Sequence, residues 1–132
     1  MTEPTARALV LVVDDDEDSS ALLGICLERE GFEVAIASTL AQARAALAER
    51  SIDVALVDIH LADGDGTTLF GDGRPASVRV ALVMSGSRSD ATHTRAQGFD
   101  GFVGKPIDRV TLVALIRALL ANPTLRSERA EQ

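Results

Sequence analysis

Acidic side chains follow two of the apolar runs in this chain. Asp14 and Asp15 come directly after the run Leu9–Val13, and Asp58 comes directly after the run Val54–Val57. Close carboxylates repel one another in a partly desolvated cleft, so such a group normally needs a cation or raised pKa values. Ligand sets made only of oxygen favour a hard ion that keeps several waters, and Mg2+ is the first choice. The spacing therefore predicts a magnesium site, with Asp15 and Asp58 as direct ligands and Asp14 acting through a water.

A hydroxyl group and an ammonium group follow two further apolar runs. Ser85 comes after Val78–Met84, and Lys105 comes after the weaker run Phe102–Val103. With a cation in place, a carboxylate oxygen of Asp58 can attack phosphorus while Ser85 and Lys105 orient and neutralise the phosphoryl oxygens. The product would be an aspartyl phosphate. We therefore expect a phosphoryl-acceptor site.

These groups meet only if the ends of the apolar runs lie together. The runs, with a further one at Val34–Ala37, are short and nearly continuous, which is typical of parallel strands buried on both faces. Between them lie apolar residues at helical spacing, namely Leu22, Leu23, Cys26 and Leu27, then Leu40, Ala43 and Leu47, and finally Leu112, Leu115, Ile116 and Leu119. This alternation predicts an α/β fold of five β-α repeats, in which functional residues gather at the carboxyl ends of the strands.

Polar residues and glycine mark the predicted helix ends. Asp18 or Ser19 precedes the first helix, Gly31 follows it, Ser38 precedes the second helix and Asp108 precedes the last.

The third and fourth repeats are the least regular. The third crossover, Thr67–Arg79, contains Gly71, Gly73 and Pro75, so we expect a short or irregular third helix. The fourth helix, around Ser89–Gln97, is polar and short and should be loosely held.

The composition limits what the chain can do. Its 132 residues suit one domain, its formal net charge is -7, and no run of Lys or Arg marks a nucleic-acid-binding face. Cys26 lies on an apolar helical stripe, which predicts a buried thiol. The segment Met1–Ala8 lacks the form of a signal peptide, and no apolar run approaches the ~20 residues that span a bilayer. We therefore expect a cytoplasmic domain with no direct nucleic-acid or membrane binding.

Four motifs, each at the end of a predicted strand, resemble the receiver domain of two-component response regulators, as in the chemotaxis regulator. They are VLVVDDDED at Val10–Asp18, VALVDIHLADGDG at Val54–Gly66, VMSGS at Val83–Ser87 and FVGKPID at Phe102–Asp108. The resemblance covers roughly residues 8–121 and implies a flavodoxin-like, doubly wound, five-stranded parallel sheet of order 2-1-3-4-5 with five helices. Residues 1–7 would be an N-terminal lead-in, and residues 122–132 a polar tail or the start of a linker.

The resemblance assigns a role to each candidate residue. It implies that Asp58 is the phosphoryl acceptor and that Asp14 and Asp15 are the acidic pair for Mg2+. Ser85 would be the switch hydroxyl and Lys105 the lysine that contacts the phosphate. His60 would give its backbone carbonyl to the metal. The resemblance also implies a cis peptide bond between Lys105 and Pro106. Ala62 stands where the family usually has proline, so we expect a looser turn after Asp58.

The resemblance also implies partners and a response. Asp58 would take its phosphoryl group from a sensor histidine kinase or a phosphotransfer protein. In the family, an aromatic residue on the fifth strand, here Phe102, follows the hydroxyl inward, which changes the surface of the fourth helix, fifth strand and fifth helix. An output domain, a target protein or a second copy of the chain would read that surface. The chain would be a signalling module that catalyses only its own phosphorylation and dephosphorylation.

Local alternatives exist for the acidic residues. Asp14 and Asp15 could cap the first helix, although three consecutive aspartates exceed what capping needs. Asp63 and Asp65 alternate with glycines but lack the later glutamate of a calcium loop, so we interpret them as turn residues.

Two other functions remain open. The first is an aspartate-nucleophile phosphatase of the haloacid dehalogenase type, which needs a second aspartate two residues after the nucleophile, where this chain has His60. The second is a degenerate receiver that acts only as a protein-interaction module.

Overall fold

Five parallel strands form one sheet in the structure, a computed structural model that describes residues 7–71, 73–86 and 98–121. The strands are β1 (Leu9–Val13), β2 (Glu33–Ala37), β3 (Ile52–Asp58), β4 (Val78–Ser85) and β5 (Gly101–Gly104). Their order is β2-β1-β3-β4-β5, and each neighbouring pair is parallel. The predicted flavodoxin-like α/β fold and its strand order are confirmed.

Apolar layers cover both faces of the sheet. Helices α1 (Glu17–Arg29) and α3 (Arg109–Ala121) cover one face, and α2 (Leu40–Glu49) with the segment after β3 covers the other. The first face packs Val12, Leu56 and Leu82 against Leu27 and Ile116, and the second packs Val13, Val57 and Val83 against Leu40. Alternate residues of each central strand point to opposite layers, so both are apolar and the runs are continuous.

The helix ends differ in detail from the sequence prediction. Helix α1 begins at Glu17, and its N-cap is Asp16, whose carboxylate accepts from Asp18 N and Ser19 N; the prediction of Asp18 or Ser19 as the cap was wrong. Helix α2 is capped by Thr39 rather than Ser38. In both cases the residue with extended backbone next to the first helical residue becomes the cap, which the sequence of polar residues alone does not reveal. The prediction that Asp108 precedes the last helix, here α3, is confirmed.

The third repeat contains no α-helix among its described residues. A single 3-10 turn, Gly66–Thr68, takes its place, as expected from the glycines and proline. Between β3 and this turn, two-residue strands at His60–Leu61 and Gly64–Asp65 pair in an antiparallel hairpin that the sequence did not predict. The predicted fourth helix, around Ser89–Gln97, lies outside the described residues.

A groove runs between α1 and α3, and two residues of α1 are more exposed than their apolar spacing predicts. Leu22, placed on the apolar stripe by its spacing, is 60% exposed. Cys26 is half-buried rather than buried, because it lines this groove of about 480 Å3, where Arg109 Nη1 donates to its Sγ at 3.0 Å. Among the described residues, no helix combines the length and the apolar character that crossing a membrane requires.

Candidate functional site

Asp58 is the last residue of β3 and is 6% exposed. Its Oδ1 accepts a hydrogen bond from His60 N at 3.3 Å, and its Oδ2 accepts one from Lys105 Nζ at 2.8 Å. Each carboxylate oxygen therefore has a donor. The backbone after Asp58 remains attached to β4, because Ile59 N donates to Met84 O at 3.2 Å.

Asp14 follows β1 at the same edge and is buried. Its backbone N donates to Ala37 O at 3.0 Å, its Oδ1 accepts from Asp16 N at 3.0 Å, and its Oδ2 lies 3.8 Å from Lys105 Nζ. Burial raises the pKa of the Asp14 carboxyl, and Asp58 adds to this, although the Asp16 hydrogen bond and the Lys105 charge oppose it.

The three predicted acidic ligands lie together. Asp14, Asp15 and Asp58 each place one carboxylate oxygen within 4.8 Å of the others, with Asp15 exposed at the rim. The single ammonium of Lys105 does not balance three carboxylates, and all the donors are hard oxygens. This donor set fits a divalent hard cation such as Mg2+.

Lys105 follows β5 and reaches back across β4. Its backbone N donates to Ser85 O at 2.8 Å, and the Lys105–Pro106 peptide bond is cis, as the family resemblance implied. Burial lowers the pKa of the Lys105 ammonium, but the hydrogen bond and charge of Asp58, together with the charge of Asp14, outweigh it. The pKa of Lys105 is therefore raised above its ordinary value.

Ser85 and His60 complete the predicted set. Ser85 is the last residue of β4 and 1% exposed, one position beyond Met84, whose Cα pairs with that of Asp58. His60 lies two residues after Asp58, with an exposed side chain and its amide bonded to the acceptor carboxylate. All the predicted site residues thus lie at the carboxyl edge of the sheet, in or directly after β1, β3, β4 and β5.

Gly66 packs closely against the backbone of Asp58. A Cβ built on Gly66 would lie 1.9 Å from the backbone oxygen of Asp58, closer than any side chain tolerates. Gly66 N also donates to Ile59 O at 2.6 Å. Gly66 lies within one of the four motifs but had no predicted role, and its place in the turn after Asp58 was the available signal.

The other acidic residues near the site make local structural contacts. Asp16, rather than Asp14 or Asp15, caps α1, so the alternative in which Asp14 and Asp15 cap this helix is excluded. Asp65 lies in the second strand of the hairpin rather than in a turn, and it caps the 3-10 turn that follows: its Oδ1 accepts from Thr67 N at 2.8 Å and from Thr67 Oγ1 at 2.6 Å. Asp63 lies in the turn of the hairpin, as predicted, and its carboxylate contacts the start of α2, a contact that the sequence did not predict.

An open groove reaches this edge of the sheet. Its volume is about 340 Å3, and its lining includes Asp14, Ser19, Lys105 and Arg109. The carboxylate cluster is therefore approached from the side of α1 and the loop after β5.

Comparison with known proteins identifies the arrangement. Residues 10–117 match the profile of the response regulator receiver domain. The chain belongs to this family of receiver domains. The resemblance inferred from the four motifs is confirmed.

Curated proteins that are similar to this chain include transcriptional regulators. The receiver domain is 34% identical over 116 residues to the transcriptional regulatory protein GltR of Pseudomonas aeruginosa, covering 84% of this chain and 48% of GltR. It is 34% identical over 119 residues to the DNA-binding response regulator MtrA of Mycolicibacterium smegmatis, covering 88% of this chain and 52% of MtrA. The chain thus spans about half the length of these relatives.

Solved receiver structures share the fold. A CheY-like receiver domain protein from Methanospirillum hungatei is 27% identical with a TM-score of 0.78, and the match covers 89% of this chain and 97% of that chain. A response regulator from Burkholderia pseudomallei, solved with a phosphorylated aspartic acid, a calcium ion and citrate, is 26% identical with a TM-score of 0.75. That match covers 93% of this chain and 73% of the other.

Proposed function

We propose that this receiver domain accepts a phosphoryl group on Asp58 from a sensor histidine kinase or a phosphotransfer protein. One observation carries the proposal: Asp58 lies in a carboxylate cluster with its Oδ2 2.8 Å from Lys105 Nζ. An ammonium in that position would neutralise phosphoryl oxygens as they arrive. The related structure from Burkholderia pseudomallei, with its phosphorylated aspartic acid and calcium ion, supports the same chemistry for the family.

The transfer is a nucleophilic substitution at phosphorus. A carboxylate oxygen of Asp58 forms the new O–P bond while the P–N bond of the donor phosphohistidine breaks, and the departing imidazole nitrogen takes up a proton. Lys105 would pass from the carboxylate to a phosphoryl oxygen, and the Ser85 hydroxyl would donate to another. No group of the protein changes oxidation state.

Mg2+ is the proposed cofactor. Asp14, Asp15 and Asp58 would hold it, together with the backbone carbonyl of His60. When bound, the ion supplies positive charge that offsets repulsion between the carboxylates and the incoming phosphoryl group.

The phosphorylated form would act as a signal rather than as a turnover intermediate. Residue 60 is His rather than the leaving-group acid of aspartate-nucleophile phosphatases, and its side chain is exposed. Phe102, half-buried on β5 beside the core, is the residue through which the change at Ser85 would reach the surface. The matched relatives named as transcriptional regulators suggest that an output domain or a separate target reads that surface in the cytoplasm.

Phosphorylation from a small donor tests the proposal. The protein is incubated with acetyl phosphate and Mg2+, and its intact mass is measured for wild type, Asp58→Asn and Asp53→Asn. Asp53 lies at the opposite end of the same strand and binds Arg79, so it is a matched control. We expect one hydroxylamine-labile phosphoryl group on wild type and Asp53→Asn and none on Asp58→Asn. A wild-type protein that gains no mass under saturating conditions would identify a degenerate receiver instead.

A further inference from the structure

The His60–Asp65 hairpin is attached at its base to the acceptor. His60 pairs with Asp65 and Leu61 pairs with Gly64. At the base, His60 N donates to Asp58 Oδ1 at 3.3 Å, and Gly66 N donates to Ile59 O at 2.6 Å. The position of the hairpin therefore sets the position of the His60 backbone relative to the acceptor carboxylate.

The tip of the hairpin is attached to a different element. Asp63 Oδ1 accepts from Leu40 N at 2.8 Å, and its Oδ2 accepts from Ala41 N at 3.2 Å. Leu40 and Ala41 open helix α2, where backbone N–H groups have no partner within the helix. The hydrogen bond from Leu40 lowers the pKa of the Asp63 carboxyl, so the contact is ionic at neutral pH.

Packing supports the same attachment. Leu61 is buried in the layer that contains Leu40 and Ala43. Gly64 has φ +145, and a Cβ at this position would lie 3.0 Å from Leu40 Cδ1. The absence of a side chain at residue 64 therefore lets the hairpin lie against the first turn of α2.

We propose that Asp63 is a positioning residue of the phosphoryl-acceptor site, which ties the hairpin to α2 and thereby holds the His60 backbone beside Asp58. The inference rests on the proposed function, in which the His60 carbonyl is a metal ligand. It also explains how the turn is restrained although Ala62 stands where the family usually has proline. A bidentate attachment at the next residue restrains the turn that the missing proline leaves free.

A variant of Thr39 can distinguish a positioning role of Asp63 from a role in helix capping alone. Thr39 Oγ1 accepts from Gln42 N at 3.0 Å, so Thr39 caps the same helix from within the local chain. Removing the Thr39 hydroxyl weakens the start of α2 and leaves the Asp63 carboxylate in place. Removing the Asp63 carboxylate weakens the start of α2 and also releases the hairpin.

The experiment compares wild type, Asp63→Ala, Asp63→Asn and Thr39→Ala by two measurements. Hydrogen exchange of the Gly66 amide, followed by NMR without metal, reports on the hairpin base. Calorimetric titration with Mg2+ reports on the assembled site. For Asp63→Ala we expect faster Gly66 exchange and Mg2+ binding weakened roughly 10-fold, the low end for residues that orient metal ligands. Asp63→Asn keeps one acceptor oxygen, so its Gly66 exchange rate and its Mg2+ affinity should lie between those of Asp63→Ala and wild type.

Thr39→Ala should keep both wild-type values. Equal changes in Asp63→Ala and Thr39→Ala, or none in Asp63→Ala, would overturn the inference. If Asp63→Ala does not fold, the comparison of Asp63→Asn with Thr39→Ala decides by the same criteria. Failure of wild type to bind Mg2+ would instead overturn the proposed metal site, while metal-free Gly66 exchange still decides whether Asp63 holds the hairpin.

Discussion

Lys105 Nζ lies 2.8 Å from Asp58 Oδ2, although 47 positions separate the two residues along the chain. They meet because β3 and β5 flank β4 and all three end at one edge of the sheet. Lys105 is also the single lysine in the sequence. Its side chain can therefore be observed without interference from another lysine.

The pKa of Lys105 provides the first prediction. Burial lowers it, but the hydrogen bond and charge of Asp58 outweigh burial, so the folded-state pKa lies above the ordinary 10.5. An ammonium with a raised folded-state pKa stabilises the fold fully below its unfolded pKa, and this contribution is lost as the pH rises through the folded-state pKa. NMR of protein labelled with 13C at the lysine Cε should show one resonance titrating above 10.5 and moving lower in Asp58→Asn. A wild-type midpoint at or below 10.5 would contradict the ion pair.

Lys105 should contribute to the reaction rather than to metal binding. Lys105→Met should slow phosphorylation by acetyl phosphate by roughly 100-fold, because a charge that meets the developing phosphoryl oxygens is lost. Mg2+ affinity should not fall, since the competing ammonium is gone. Arg109→Met is the control, because Arg109 lines the same groove but donates to Cys26 Sγ at 3.0 Å. Equal slowing in the two variants would point to the general charge of the groove.

Asp14 should destabilise the metal-free protein. Burial and the neighbouring Asp58 raise its pKa, so the fold disfavours its ionised form at neutral pH. Asp14→Asn keeps an acceptor for Asp16 N and should raise the metal-free free energy of unfolding by roughly 1 kcal/mol. The same substitution should reduce the stabilisation that Mg2+ gives wild type. Urea denaturation with and without Mg2+ measures both, with exposed Asp18→Asn as the control. Loss of stability, or an undiminished response to Mg2+, would count against the cluster as a cation site.

Gly66 should tolerate no side chain. Because a Cβ there would lie 1.9 Å from Asp58 O, Gly66→Ala must displace the turn or the strand end and should cost roughly 3 kcal/mol of unfolding free energy. At Gly86, one residue after β4, a Cβ would meet no atom of the described residues within 4 Å, so Gly86→Ala should lie near wild type. Thermal or chemical denaturation of the two variants separates these outcomes, and similar stabilities would show that the turn after Asp58 adapts.

The strands and the site could be predicted because both depend on local patterns. Buried parallel strands are apolar on both faces, so β1, β3 and β4 stand out in the sequence as continuous runs. The carboxyl ends of such strands share one edge, which places Asp14, Asp58 and Lys105 together once the strands are recognised.

The remaining features depend on contacts between distant residues or on small differences between neighbours. Asp63 reaches Leu40 across 23 positions, and no local pattern marks that pairing. The choice of Asp16 over Asp18 as the cap of α1 depends on which residue keeps an extended backbone. The close approach of Gly66 to Asp58 is a backbone contact that glycine permits, but a glycine in the sequence does not by itself predict such a contact.

Direct localisation of the phosphoryl group tests the central claim. An aspartyl phosphate made with acetyl phosphate and Mg2+ is reduced with borohydride, which converts that residue to homoserine, and the tryptic peptide Ser51–Arg79 is sequenced by mass spectrometry. The peptide also contains Asp53, Asp63, Asp65 and Asp72, which act as internal controls. The account predicts homoserine at position 58 and unchanged aspartate at these four positions. Homoserine at any of them instead, or none in the peptide, would contradict the assignment of Asp58 as the phosphoryl acceptor.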